Sequence, residues 1–249
     1  MENIIEANNI VKYYGEGENK TVALDGVNMN IAKGEFLTIM GPSGSGKSTL
    51  LFSISGMDDI SSGEVLFNGS NLSKLNEEEV ADIRRLQMGF VFQEATMLKN
   101  LDILDNIILP SYDENRKNKV KLISNAKNLM DSIGISGLEN RNIKDVSGGQ
   151  LQRASICRAI LHEPEILFGD EPTGALNSKN SEEIMNLFQE LNDNGMTIML
   201  VTHDSKVAAK SNRVLMMKDG KVEGELQFQN ESFDERLEKI TNRMKDFGI

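Results

Sequence analysis

The chain has 249 residues, 39% of them hydrophobic and 26% charged, enough to bury one large α/β core or two small ones. Its net charge of −11 repels nucleic-acid backbones and anionic lipid surfaces, and its one cysteine, Cys157, excludes an internal disulfide. No apolar run approaches the roughly 20 residues of a membrane-spanning helix, and Met1-Glu2-Asn3 lacks the basic start and apolar core of a signal peptide. A cytoplasmic protein follows as the expectation, with any membrane contact made through a partner. Cys157 lies in an apolar helical stretch and reads as an inert core thiol.

Taken in chain order, Ile4 to Val11 and Val22 to Ile31 alternate as strands, and Phe36 to Met40 is a continuous apolar run that suits a strand buried on both faces. A Gly-rich loop and a helix come next, then a short strand at Gly63 to Phe67. Asn76 and Glu79 form a capping box at the start of a helix whose first turn is acidic and whose last is basic. Met88 to Phe92 is a second buried strand. From Glu94 to about Asp145 a mostly helical segment is predicted, with Leu122, Ala126, Leu129 and Ile133 on one face and Gly134 closing that helix. A helix over Gly148 to Leu161, a strand at Ile166 to Phe168, a helix from Ser178 to Asn194-Gly195 and a strand at Ile198 to Val201 complete the alternation. Arg213 to Lys218 and Val222 to Leu226 pair through Asp219-Gly220, a favoured hairpin turn. Strand–helix alternation predicts an α/β fold with a mainly parallel sheet. After residue 226 a tail carries Phe233, Leu237, Ile240 and Met244 at helical spacing, with Gly248 as a stop. Its apolar face is expected on its own domain, with a second copy of the chain as the alternative surface.

Gly41-Pro42-Ser43-Gly44-Ser45-Gly46-Lys47-Ser48-Thr49 matches the G-x-x-x-x-G-K-[S/T] pattern between a strand and a helix. Glycines let backbone N–H groups wrap phosphates at the positive end of the helix. Lys47 then meets the β and γ phosphates, and Ser48 ligates Mg²⁺. The bland reading is a glycine turn with a surface lysine. Ile166-Leu167-Phe168-Gly169-Asp170-Glu171 ends an apolar strand in two carboxylates, Asp170 suited to Mg²⁺ and Glu171 to polarising a water; alone, it could be an acidic turn. Ser147-Gly148-Gly149-Gln150 reads as an N-cap opening a helix, an anion-receptive end, or as a plain loop-to-helix turn.

Together these motifs resemble the ABC ATPase family, whose signature is the tetrad Ser147 to Gln150. The resemblance covers residues 2 to 226 and implies ATP hydrolysis with Mg²⁺ by a P-loop core, with an antiparallel β portion from the N-terminal region and a helical subdomain near residues 94 to 160. It implies that Gln93 at a strand end senses Mg²⁺ and the attacking water, and that His203 at another contacts the γ-phosphate and holds Glu171. Tyr14 matches the aromatic that stacks on adenine, with Tyr13 adjacent as the alternative. Ser147, Gly148, Gly149 and Gln150 are implied to face the ATP held by a second copy, which makes an ATP-dependent homodimer the expected assembly. A separate membrane permease is the other implied partner, docked near the apolar residues Met97 and Leu98, and nucleic acid is not one. Asn177 stands where the family usually has aspartate. Wording such as Gly174-Ala175-Leu176-Asn177 is similar to the branch of macrolide-export, lipoprotein-release and bacitracin-type peptide-resistance systems. An antimicrobial-peptide export or resistance role is therefore the expectation, against the alternative of a mechanical or regulatory ATPase that moves nothing across the bilayer.

Overall fold

A computed structural model describes residues 2–112 and 118–246; Phe247 and Gly248 of the expected terminal helix lie outside the described residues. In chain order the elements are β1 (Asn3–Tyr14), β2 (Thr21–Ala32), β3 (Phe36–Met40), α1 (Lys47–Ile54), β4 (Ser62–Phe67), β5 (Ser70–Asn71), α2 (Glu77–Gln87), β6 (Met88–Phe92), α3 (Ile103–Ile108), α4 (Lys119–Ser132), α5 (Gly148–Ile160), β7 (Ile166–Asp170), α6 (Ser178–Asp193), β8 (Thr197–Thr202), α7 (Ser205–Ala208), β9 (Arg213–Lys218), β10 (Lys221–Gln227) and α8 (Phe233–Asp246). The fold is α/β. The chain divides into two compact units, Met1–Arg84 with Leu191–Ile249, and Arg85–Glu190.

In the first unit, β2, β1, β4 and β5 form an antiparallel sheet in that order. A second set has β3 parallel to both β8 and β9, with β10 antiparallel at the edge. Every residue of β3 and β8 is buried, as continuous apolar runs in parallel strands require. Asp219 and Gly220 both take positive φ, +47° and +79°, the backbone of a type I′ turn whose twist matches its strands. Helix α8 starts with a Ser232–Glu235 capping box. It buries Ile240 against Met40, Ala208, Ala209, Val214, Met216 and Phe228, with Leu237 and Met244 partly covered. Arg236 anchors the helix by donating to the carbonyl of Ser211 at 3.1 Å.

In the second unit β6 and β7 run parallel, in register from Met88↔Ile166 to Phe92↔Asp170. Helix α4 buries Leu122, Ala126 and Met130; Met130 takes the inward place expected of Leu129, since both fit the 3.6-residue period and only one reaches the core. The stretch between residues 94 and 145 is less helical than its composition suggests. The buried Asn106 amide accepts from Leu98 N–H at 2.7 Å and donates to the carbonyls of Leu98, Leu101 and Asp102. One side chain thereby satisfies an irregular loop that would otherwise need helix hydrogen bonds. That loop buries Met97 to 9% exposure and leaves Leu98 half exposed. Among the described residues no helix is long and apolar enough to cross a membrane.

Candidate active site

The loop between β3 and α1 is built for close backbone approach. A Cβ on Gly41 would lie 2.2 Å from the carbonyl of Met217, and one on Gly46 would lie 2.5 Å from that of Ala23, with Gly46 at φ +98°. Neither position tolerates a side chain. Gly220 N–H donates to the Ser45 carbonyl at 3.0 Å and ties the loop to the β9–β10 turn. Gly46 is the N-cap of α1 and supplies no side-chain cap, which leaves a helix N-terminus receptive to an anion. Lys47 is buried and its ammonium donates to the carbonyls of Gly41 and Pro42, both at 2.9 Å. The Ser45 hydroxyl is buried without a hydrogen-bond partner. An orphaned donor, an uncapped helix end and a loop-bound ammonium fit a polyphosphate.

Tyr14 closes the same region. Its hydroxyl donates to Asp58 Oδ2 at 2.7 Å and is hydrogen-bonded with Thr49, the last residue of the glycine loop motif. Lys12, also buried, pairs with Asp58 Oδ1 at 2.6 Å, donates to the Asp59 carbonyl, and sits 4.9 Å from the Tyr14 ring centre. Burial alone would lift the Asp58 carboxyl. Hydrogen bonds from Lys12 and Tyr14 outweigh it and hold the group below the usual carboxylate range. Tyr14 as a residue stays 44% exposed, with the Lys12 ammonium over its ring. Tyr13 has its ring against Lys20 instead. In register, Met40 of β3 pairs with Thr202 of β8, so Gly41 and His203 leave their strands at the same end.

In the second unit, Phe92 pairs with Asp170, which puts Gln93 and Glu171 together just past the paired strands. Glu171 takes φ +48°, a left-handed conformation uncommon for a residue with a side chain. Gln93 packs on the following turn, where a Cβ on Gly174 would be 3.1 Å from its Nε2. Ser147 is the N-cap of α5 in a reciprocal box: its hydroxyl accepts from Gln150 N–H at 3.3 Å, and its N–H donates to Gln150 Oε1 at 2.9 Å. The helix end is therefore not bare, and the hydroxyl hydrogen is the part of Ser147 left to meet an anion. Asn177 accepts from Asn180 N–H at 2.9 Å, capping α6 with the oxygen that an aspartate would offer there.

Sequence reasoning missed Lys12, Asp58 and Gln152. Lys12 and Asp58 meet across 46 positions, and no local pattern announces the pair. Gln152 lies two residues past the signature, on a face that periodicity marks only as interior.

Residues 24–174 match the sequence profile of the family described as ABC transporter. The bacitracin export ATP-binding protein BceA of Halalkalibacterium halodurans is 41% identical over 92% of this chain and 90% of its own. The macrolide export ATP-binding/permease protein MacB of Mannheimia succiniciproducens is 39% identical over 88% of this chain, which spans 34% of that longer protein. Among solved structures, the dimeric post-hydrolysis state of the ATP-binding cassette MJ0796 bound to ADP and Pi has a TM-score of 0.81 at 38% identity, covering 91% of this chain and 100% of that one.

Proposed function

The chain belongs to the ABC transporter ATP-binding family and is an ATPase that energises a separate permease as a pair of cassettes; on that premise we propose how its residues divide the reaction and what it serves. The observation that carries the reading is the loop from Gly41 to Thr49, where glycines no larger residue can replace leave an uncapped helix end beside Lys47. Backbone N–H groups of the loop, Ser45 and Lys47 bind the phosphates, and Tyr14 stacks on the adenine. Ser48 and Asp170, with Gln93, would hold Mg²⁺, which when bound neutralises charge on the β and γ phosphates. Glu171 orients and polarises the attacking water, Gln93 positions it, and His203 donates to the γ-phosphate. Ser147 with Gly148, Gly149 and Gln150 meets the nucleotide of the second copy, its hydroxyl donating to an anion.

The substrate class proposed is antimicrobial peptides of the bacitracin type, with export or resistance as the outcome. Support comes from end-to-end similarity to a bacitracin export protein, 90% of whose length is matched. The half-exposed Leu98 is the apolar residue offered to the permease, and the chain works at the cytoplasmic face of the membrane. Glu171→Gln tests the reading at both levels. The purified variant should bind ATP as the parent does, turn over at least about 100-fold more slowly, and accumulate an ATP-bound dimer. Cells carrying it should lose peptide resistance. Near-normal hydrolysis removes Glu171 from its role, and unchanged resistance with dead hydrolysis removes the substrate class.

A further inference from the structure

We infer that Gln152, outside both the signature and the catalytic set, is a positioning residue that fixes Gln93 and Glu171 against one another; this rests on the reading of those two as catalytic groups. Gln152 is 3% exposed. Its Nε2 donates to the carbonyl of Phe92 at 3.0 Å and to that of Pro172 at 2.7 Å. Both acceptors are carbonyls, so only the amide NH₂ can serve them, and its orientation is fixed. Phe92 immediately precedes Gln93, and Pro172 immediately follows Glu171.

The clamp sits where backbone pairing fails. The β6–β7 ladder ends at Phe92↔Asp170. There the chain swings into the left-handed conformation at Glu171 and closes a turn, with Gly174 N–H donating to the Glu171 carbonyl at 2.9 Å. Two carbonyls lie at the end of the ladder, that of Phe92 on the last rung and part-buried and that of Pro172 beyond it and buried, and unpaired buried carbonyls are costly. One planar amide with two hydrogens satisfies both and sets their separation. Gln93 is wedged against the same turn at Gly174. Helix α5 gives the amide a firm base, since the Ser147–Gln150 box locks its first turn and Arg153 ties the next residue to the Ile133 carbonyl at 2.7 Å.

Gln152→Met keeps volume and helix propensity but removes both donors. Steady-state turnover should fall about 10- to 100-fold, the effect of a misplacement near 1 Å, while ATP affinity stays within about two-fold because the glycine loop and Tyr14 are untouched. Gln152→Glu should lose at least as much at neutral pH. Its turnover relative to the parent should rise as pH falls, because a protonated carboxyl regains one donor. A purely structural residue would move the melting temperature without that pH profile. Turnover of either folded variant within about two-fold of the parent, or an equal loss of affinity and turnover, overturns the inference. Glu171→Gln run alongside separates the two readings. If it also turns over normally, the catalytic assignment has failed. If it is inactive while Gln152→Met is normal, only the clamp has failed.

Discussion

Asp58→Ala should weaken ATP binding without touching the phosphate site, and by less than removal of Tyr14 itself. Asp58 makes no direct contact with a base in this reading; it holds the Tyr14 hydroxyl at 2.7 Å while Lys12 holds Asp58. Deleting the stack with Tyr14→Ala removes about 1–3 kcal/mol of base–aromatic stacking, a loss of about 5- to 150-fold in affinity. Deleting Asp58 leaves the ring in place with only Thr49 on its hydroxyl, and so less firmly ordered. Re-ordering one such side chain on binding costs about 0.5–1.5 kcal/mol, a loss of about 2- to 12-fold. Asp58→Asn keeps an acceptor for the phenol and loses only the ion pair, so it should fall near the parent in affinity. Calorimetric titration of ATP into the four proteins measures this, with melting curves recording what Lys12 loses when its carboxylate partner goes. The decisive comparison is the double variant: with Tyr14 already alanine, removing Asp58 should have no further effect on affinity. If the two losses add, Asp58 does not act through Tyr14 and the reasoning fails.

What the sequence made legible was mostly local. The loop from Gly41 to Thr49, the Asn76–Glu79 box, confirmed by bonds of 2.8 and 2.9 Å, and the Asp219-Gly220 turn each place a backbone demand on adjacent residues, so residue type alone reveals them. Strand ends that present Gln93, Asp170, Glu171 and His203 follow from apolar runs that stop at polar residues. What stayed hidden depends on partners distant in sequence. Lys12 reads as one polar position in an alternating strand, and only the folded chain brings Asp58 to it. Gln152 reads as a polar interruption of a buried helix face, and its meaning lies in two carbonyls distant in sequence, that of Phe92 in β6 and that of Pro172 in the turn after β7. The segment after Gln93 looked helical because its composition is helix-compatible; Asn106 offers four hydrogen bonds to an irregular loop, and that tertiary choice overrode propensity. The same loop buries Met97 and exposes its neighbour Leu98, a difference that periodicity cannot assign where there is no period.

Three further perturbations address stability. His162 donates Nε2–H to the Met88 carbonyl at 3.2 Å, while its Nδ1 is buried without a partner. Burial first, with Arg85 adding to it, depresses the ring below the ordinary 6.5. Stability from this group is therefore complete above about pH 6.5 and is lost as pH falls below that value, because the unfolded chain takes up a proton that the native ring refuses. Urea unfolding at pH 5.5 and 7.5 should show a smaller pH difference in His162→Gln than in the parent, and an equal difference would clear His162. Ile240→Ala tests where α8 belongs. Ile240 is fully buried among Met40, Val214, Met216 and Phe228, so truncation should cost about 2–4 kcal/mol through lost transfer energy and the residual cavity. At about 2–4 °C per kcal/mol for a chain of this size, the melting temperature should drop by roughly 5–15 °C. Turnover per folded molecule should hold, since no residue of the ATP site touches α8 in this cluster. Removing the helix after Gln229 should do at least as much and expose apolar surface to a hydrophobic dye. A protein that melts as before but no longer dimerises with ATP would move the apolar face of α8 from its own unit to the second copy.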